Sequence, residues 1–373
     1  MRGEASLAKK SSGSKLPFGF AQDEPHSTDL QNKKREAGVY LRGASVQGAQ
    51  GRMEPETSRG TTTETAHETA PVTARDGSPP HPSRIRRVFF DAKGIRPVWR
   101  LLIYFGVYIA IAGTLSFLVF RGAAFKMPEF RLGELLPREF IGLFAVLAAA
   151  GVMSRIERCD FGSYGLPWKK ALGLRFWEGA VWGFLAMTVL LAILRAAGSF
   201  SFGNIELHGR RLLVYTCGWS VYFLAVGMYE EFMFRGYPQA RLATRMGFWR
   251  AAVVLSAIFA ALHLANPGEN VAGIAQVFLI ALLFCLTLKR TGNLWFAVGL
   301  HAAWDWAETF FYGVADSGFR GPGHLLNSSF HGPKLLTGGS AGPEGSVIAL
   351  AIEVAMIGLV MLRFRGASRA DRV

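Results

Sequence analysis

Long apolar stretches separated by short polar connections occupy the chain from residue 98 onward. A helix needs about 20 residues to cross the hydrocarbon core of a bilayer, and eight stretches have roughly that length. The pattern therefore predicts an all-α, polytopic transmembrane helical bundle of about eight helices. The predicted spans are 101–120, 139–154, 176–194, 212–234, 249–265, 271–288, 294–312 and 346–363.

Basic residues are concentrated in every second connection between these spans. Lysine and arginine favour the cytosolic loops of membrane proteins. We therefore expect an integral protein of a bacterial inner (plasma) membrane, with both termini in the cytosol. The longest connection, 313–345, is rich in glycine, proline and serine, and we expect it to cover the non-cytosolic mouth of the bundle.

Composition narrows the class of protein further. Half of the residues are hydrophobic, and 18% are charged, whereas soluble domains are about 25% charged. The net charge of +14 fits basic membrane loops better than a nucleic-acid-binding surface. The isolated cysteines argue against a disulfide scaffold or a structural zinc site; they are Cys159, Cys217 and Cys285.

The polar N-terminal region differs from the rest of the chain. Residues 1–95 lack a sustained apolar period and predict a disordered cytosolic tail, and residues 366–373 predict a short C-terminal cytosolic tail. Met53 is a second candidate start, which would leave residues 1–52 untranslated. A peptide from residues 1–52 in the mass spectrum of the native protein would refute that hypothesis.

Ionisable residues inside apolar spans point to chemistry, because a charge at the bilayer centre costs roughly 2.5–3.5 kcal/mol on insertion scales. In the fourth span, Glu231 and Arg235 are four residues apart, so they share a helix face. Glu230 points about 100° away from Glu231 on a helix. The spacing predicts that Arg235 anchors one carboxylate while the Glu230 carboxylate stays free.

Two further pairs lie at helical spacing in later spans. Phe259 and His263 share one face of the fifth span, and His301 and Asp305 share one face of the seventh. Polar groups at this depth must face a cavity or each other. Glu308 lies about one turn after Asp305 and continues the polar face of the seventh span. We expect it at the non-cytosolic surface of the membrane.

Each group has a structural interpretation when taken singly: a charge cluster at the membrane border, a packed histidine, or a polar pair joining helices. Together they place a carboxylate, two imidazoles and a further acid on three helices. This set can activate water, with a carboxylate as general base and imidazoles that orient the water or stabilise an oxyanion.

On these residues the sequence resembles the CAAX-protease and bacteriocin-processing family of intramembrane endopeptidases, also called the CPBP or Abi family. The family pattern is EExxxR, then FxxxH, then HxxxN or HxxxD, on three separate membrane helices. Here the motifs are Glu230-Glu231 with Arg235, Phe259 with His263, and His301 with Asp305. The resemblance covers roughly residues 97–363 and implies an intramembrane protease domain at 96–365.

The resemblance implies a role for each of these residues. Glu230 and His263 would activate the attacking water, and His301 and Asp305 would hold the oxyanion. The residues implied to orient the site are Glu231, Arg235 and Phe259. The implied substrate is a membrane-associated peptide or protein tail, of which a prenylated CAAX tail is the family's best-known case.

Straight spans leave one geometric question open. They place Glu230 near the cytosolic end of the fourth span and His263 towards the opposite end of the fifth. A catalytic contact then requires the fourth helix to sit lower, the fifth helix to tilt, or the connector 235–250 to re-enter the membrane.

Asp305 stands where the prenyl-protein members of the family have Asn. An ionised Asp cannot donate a hydrogen bond to an oxyanion. Asp305 is therefore protonated, or orients His301, or helps to hold a metal. Glu230, His263 and His301 could also bind zinc with a fourth position open. Because no HExxH motif is present, we favour metal-independent water activation, with zinc as the open alternative.

Two other function classes remain open. One is a non-catalytic membrane scaffold or bacteriocin-immunity-type protein with the same fold, and the other is a transporter that uses buried carboxylates as a proton relay. A scaffold does not need the complete set of four polar residues. A transporter often shows an inverted repeat, and none is evident here. The sequence therefore favours the endopeptidase, with the lipid bilayer as its surroundings and no nucleic-acid partner.

Overall fold

Helices make up nearly all of the regular structure of the described residues. The computed structural model describes residues 89–91, 94–121 and 131–366. Its helices are α1 Pro97–Phe120, α2 Leu132–Glu157, α3 Leu174–Ala196, α4 Gly209–Glu231, α5 Tyr237–Met246, α6 Phe248–His263, α7 Val271–Thr291, α8 Trp295–Trp306, α9 Lys334–Thr337 and α10 Val347–Arg363. The all-α fold predicted from the hydrophobic pattern is confirmed.

Short segments of other structure join these helices. In the described part, two-residue strands form two antiparallel pairs: β1 Phe90–Asp91 with β2 Gly94–Ile95, and β3 Phe200–Ser201 with β4 Ser329–Phe330. Tight 3-10 turns lie at Phe161–Tyr164, Trp168–Lys170 and Pro343–Gly345. Wider π turns continue α4 at Phe232–Gly236 and α8 at Ala307–Tyr312.

Five helical stretches are long and apolar enough to cross a membrane, judged by length and composition. They are Pro97–Phe120, Leu132–Glu157, Leu174–Ala196, Gly209–Met246 and Val271–Thr291. Each of the eight predicted spans overlaps a helix, and the shorter α6, α8 and α10 account for the other three. Large apolar side chains such as Leu102, Ile109 and Leu118 are more than half exposed on α1. Such a surface suits lipid, and the chain is an integral membrane protein.

Helix α8 lies in the interior of the bundle, against α3, α4 and α7. On α3, Gly179 and Gly183 form a GxxxG pair, and a Cβ at either position would overlap the carbonyl oxygen of Phe296 or Leu300. Gly299 on α8 meets the backbone of α3 in the same way. Small residues of this kind let two membrane helices pack backbone to backbone. The helix that carries His301 and Asp305 is therefore held closely in place.

The fourth helix is longer than the sequence predicts. Its helical path runs through the π turn and ends at Met246, so the predicted end at residue 234 is wrong. Arg235 and Arg241 resemble residues of a cytosolic connector, but they pair with Glu231 and Glu157 respectively. Because these carboxylates compensate their charges, the basic residues stay within the helical bundle.

Gly247 joins α5 to α6, in the connector between Glu230 and His263, whose relative depth the sequence leaves open. Its φ of 82° lies in a region that residues with a Cβ rarely adopt. Helices α5 and α6 pack against each other, and Glu230 and His263 line the same cavity. The bundle therefore brings the two side chains to one cavity, although straight spans would separate them.

The connection between α8 and α10 is anchored at several points. Strand β4 pairs with β3, and Leu326 forms a bridge with Ile205. Asn270 caps α7 by accepting from two backbone N–H groups, and its Nδ2 donates to the carbonyl oxygen of Gly338 at 3.2 Å. The connection is therefore fastened to the segment before α4 and to the start of α7.

Glu308 is not exposed at the non-cytosolic surface of the membrane, and that prediction is wrong. Its side chain is 0% exposed, because the connection that follows α8 packs over this end of the helix: the carbonyl oxygens of Phe310 and Phe311 accept from Leu325 and Leu326. Residues 1–88 and 367–373 lie outside the described part. The N-terminal tail 1–95, the alternative start at Met53 and the domain boundaries at 96, 365 and 366 stay predictions.

Candidate active site

A cavity of about 900 Å³ lies among the helices that carry the three motifs. Glu230, His263, His301 and Asp305 all line it. Most of its other walls are apolar side chains of α1, α4, α6 and α7. A mostly apolar cavity with a few convergent polar groups is typical of a binding or active site.

The pair of Glu231 and Arg235 forms as the spacing predicts. Nη1 of Arg235 donates to Oε1 of Glu231 at 3.2 Å, and both side chains are fully buried. The guanidinium group lies 4.5 Å from the ring centroid of Phe259 and 5.5 Å from that of Phe284. A buried ion pair is costly to desolvate, and the aromatic faces offset part of this cost. The pair fixes the position of the Glu231 carboxylate.

Glu230 is the accessible member of the two adjacent acids. Its side chain is 29% exposed, whereas that of Glu231 is 0% exposed. Its Oε2 lies 3.7 Å from Nε2 of His301, which is longer than a direct hydrogen bond. The two groups therefore face each other across a shared space in the cavity.

His301 is held from three sides. Its Nδ1 lies 3.1 Å from Oε1 of Glu231, and since an ionised carboxylate only accepts, Nδ1 carries the proton of this bond. Its Nε2 lies 3.5 Å from Oδ2 of Asp305, on the side of Glu230. The ring stacks on Phe284, with centroids 5.1 Å apart. These contacts leave Nε2 directed towards Glu230 and Asp305 in the cavity.

His263 is oriented by its own helix. Its Nδ1 lies 2.8 Å from the carbonyl oxygen of Phe259, so Nδ1 donates and Nε2 of the neutral ring is left as an acceptor. The rings of Phe259 and His263 have centroids 4.6 Å apart. Phe259 therefore packs between His263 and the guanidinium group of Arg235.

Helix α4 changes to a π turn directly after Glu231, and α8 does so two residues after Asp305. Pro238 lacks the N–H that would continue α-helical hydrogen bonding, which favours the first of these turns. Turns of this kind are frequent at functional sites. The two turns contain Arg235 and Glu308, and both of these side chains are fully buried.

Comparison with known families identifies the segment that contains all of these motifs. Residues 211–307 match the family model Type II CAAX prenyl endopeptidase Rce1-like. The resemblance drawn from the motifs is confirmed. No curated protein matches the chain. The Rce1-like segment covers α4 to α8 except the first residues of α4, and the cavity of these helices is the candidate active site.

Residues outside the Rce1-like segment also line the cavity. The connection after α8 contributes Asp316, Ser317, Phe319 and Glu344. The sequence predicted a covering loop but assigned none of its residues to the site. In the sequence, Asp316 and Glu344 are single acids among glycines and prolines. That pattern could mark them as candidates, but it does not show that the two carboxylates meet.

Asp316 has an unusual electrostatic environment. Burial raises the pKa of its carboxyl well above the ordinary value, and the charges of Asp305 and Glu344 raise it further. A hydrogen bond from the hydroxyl of Thr309, 3.1 Å long, opposes this shift. The carboxylates at this end of the cavity are therefore close enough to influence one another.

Glu139 of α2 is another acid that the sequence did not assign to the site. It is half-buried and interacts electrostatically with Glu230 and His301. Because it is the first residue of the predicted span 139–154, it resembled a charged residue at the membrane surface. The helix begins instead at Leu132, which places Glu139 two turns inside it.

The residues predicted as zinc candidates were Glu230, His263 and His301. Among the described residues, the donor atoms that converge within 4.8 Å of one another belong to a different set, Asp305, Asp316 and Glu344. A zinc ion on the predicted three would need their side chains to move closer together. Zinc at Glu230, His263 and His301 therefore stays a prediction.

Proposed function

We propose that this protein is an intramembrane endopeptidase that uses activated water to hydrolyse a peptide bond of a membrane-associated peptide or protein tail. The observation that carries the proposal is the contrast between two adjacent acids. Glu231 is buried in an ion pair with Arg235, while Glu230 faces the cavity opposite His301. The Rce1-like match over residues 211–307 supports the same reaction class.

In this mechanism, Glu230 takes a proton from a water molecule, whose oxygen attacks the carbonyl carbon of the scissile bond. His263 helps to position that water through its free ring nitrogen. Protonated His301 donates from Nε2 to the oxyanion that forms. Asp305 lies 3.5 Å from the same nitrogen and orients the ring on the side of Glu230, since an ionised carboxylate cannot itself donate to the oxyanion. Glu230 then delivers the proton to the leaving nitrogen as the C–N bond breaks.

The apolar walls of the cavity suit a substrate that approaches from the bilayer. A lipidated tail, such as a prenylated CAAX tail, is the substrate class that we test first. In the same proposal the protein lies in a bacterial inner (plasma) membrane with both termini in the cytosol. No nucleic acid takes part, and zinc is the alternative that the test below addresses.

The test is peptide cleavage by the purified protein in liposomes, on a library of C-terminally lipidated and unlipidated peptides. Wild type is compared with Glu230→Gln and with Glu206→Gln, an acid that is 50% exposed and pairs with His324. A general base contributes about 10²–10⁴-fold to a rate. We expect a loss of that size in Glu230→Gln and an unchanged rate in Glu206→Gln.

Repeating the assay with a chelator distinguishes metal-independent hydrolysis from zinc-dependent hydrolysis. Cleavage that survives removal of zinc supports water activation by Glu230 alone, and cleavage that is lost and then restored by zinc supports the metal alternative. Equal cleavage by wild type and Glu230→Gln would refute the assigned base. Absence of cleavage of every peptide by folded wild type would favour the scaffold instead.

A further inference from the structure

Three carboxylates meet at one end of the candidate active-site cavity. Asp305 comes from α8, Asp316 from the start of the connection that follows it, and Glu344 from the end of that connection. Their oxygens lie within 4.8 Å of one another. Asp305 and Glu344 are 7% and 8% exposed. Like charges this close and this buried repel strongly unless a cation or protons compensate them.

Glu308 gives a second and independent indication of a missing positive charge. Its side chain is fully buried, and neither carboxylate oxygen has a hydrogen-bond partner among the described residues. It interacts electrostatically with Asp305, Asp316 and Glu344. The nearby indole N–H of Trp304 donates to Glu344 at 2.9 Å. The same indole also interacts with Glu308, but no ion pair joins Glu308 to a basic side chain among the described residues. A fully buried carboxylate without a cationic partner is costly, which indicates that a positive charge belongs in this cluster.

The contacts of the three carboxylates are mostly with neutral donors. The hydroxyl of Thr309 donates to Asp316, and the hydroxyl of Ser317 donates to Glu344 at 2.7 Å. Such hydrogen bonds orient the oxygens but do not cancel their charge. His301 is the basic group next to Asp305, and it also faces Glu230 and Glu231.

We propose that Asp305, Asp316 and Glu344 bind one hard divalent cation, Ca²⁺ or Mg²⁺, with Glu308 as a further negative charge behind it. A set made only of oxygen donors selects this class of ion over zinc. Oxygens on opposite sides of Ca²⁺ are about 5 Å apart, and those of Mg²⁺ about 4 Å. Ca²⁺ is therefore the first probe for donors within 4.8 Å.

The bound cation would fasten the connection 313–346 to α8. Two of its ligands belong to that connection and the third to the helix that carries His301. The cation would thus hold the covering segment over the cavity, next to but not within the group of Glu230, His263 and His301. Asp305 is shared by the two groups, since it also lies 3.5 Å from Nε2 of His301.

The test measures binding of Ca²⁺ and Mg²⁺ by calorimetry to the purified full chain, after removal of metals with a chelator. We expect one ion per chain in wild type and at least tenfold weaker binding in Asp316→Asn and in Glu344→Gln. Glu206→Gln is the matched control and should bind as wild type does. Glu230→Gln should also bind normally, so loss of cleavage and loss of cation binding are separable.

A second readout covers variants that fold poorly. Ca²⁺ should raise the temperature of thermal unfolding of wild type, and a chelator should reverse the rise. The proposal is overturned if wild type binds neither ion at millimolar concentration, or if Asp316→Asn binds as tightly as wild type. It is also overturned if the protein binds only zinc and loses it in His263→Ala.

Discussion

At the scale of single residues, the surroundings of Glu230 and Glu231 decide what each can do. Glu231 has a guanidinium partner and an imidazole partner, at 3.2 and 3.1 Å, and its burial removes it from any substrate. Glu230 has room beside it and faces the cavity. Adjacent positions on a helix differ by about 100° in direction, so one motif supplies both a positioning acid and a candidate base.

Arg235 supplies the first residue-scale prediction. Its planar guanidinium lies over Phe259 while it bonds Glu231, and lysine cannot reproduce that stacking. We expect Arg235→Lys to lower the free energy of unfolding by about 2 kcal/mol, the size of a desolvated cation–π contact. Unfolding in mixed micelles titrated with SDS measures this. Arg250→Lys, at an exposed residue of α6, is the control, and equal stability of both variants would refute the stacking role.

At the scale of elements, the packing of α3 against α8 determines where His301 and Asp305 stand. The prediction uses two glycines that differ only in their surroundings. A Cβ at Gly183 would overlap the backbone of α8 at Leu300, whereas a Cβ at Gly106 on α1 would meet nothing within 4 Å. Overpacking costs about 1–3 kcal/mol, so Gly183→Ala should lose stability and slow any cleavage.

The control for this prediction is Gly106→Ala, which should be as stable as wild type or slightly more stable, since Ala favours helix over Gly. Both variants are unfolded by SDS in parallel. If Gly183→Ala unfolds with the same free energy as Gly106→Ala, the close contact of α3 and α8 is not what positions the site.

The positions of the long helices were predictable from the sequence, because apolar composition alone marks them. Each of the eight apolar stretches overlaps a helix, and five helical stretches are long and apolar enough to cross a membrane. The end of the fourth span was wrong because buried and cytosolic arginines look alike in a sequence. The partners of Arg241 and Arg235, namely Glu157 and Glu231, become visible only when the helices are packed.

The candidate site was predictable in part for the same reason. Pairs at helical spacing, such as Glu231 with Arg235 and His301 with Asp305, follow from local geometry. The meeting of Asp305 with Asp316 and Glu344 does not, since it depends on how a loop rich in glycine folds back. Glu308 was misplaced because the segment that buries it lies later in the chain.

At the scale of the whole molecule, the distribution of basic residues predicts orientation in the membrane. Cys159 lies near Lys169 and Lys170 and is exposed, and Lys334 lies in the long connection before α10. We expect a membrane-impermeant maleimide to label Lys334→Cys in intact spheroplasts and Cys159 only after lysis. Cys217, which is also exposed, is replaced by Ser in both samples. The reverse pattern would contradict cytosolic termini.

The most direct test of the central claim compares Glu230→Gln with Glu231→Gln in one preparation, measuring both cleavage of a lipidated peptide and unfolding by SDS. The account predicts that Glu230→Gln loses cleavage by about 10²–10⁴-fold and keeps its stability. It predicts that Glu231→Gln loses about 3–5 kcal/mol of stability, because Arg235 is left buried without a charged partner. Undiminished cleavage by Glu230→Gln, or equal stability of both variants, would contradict it.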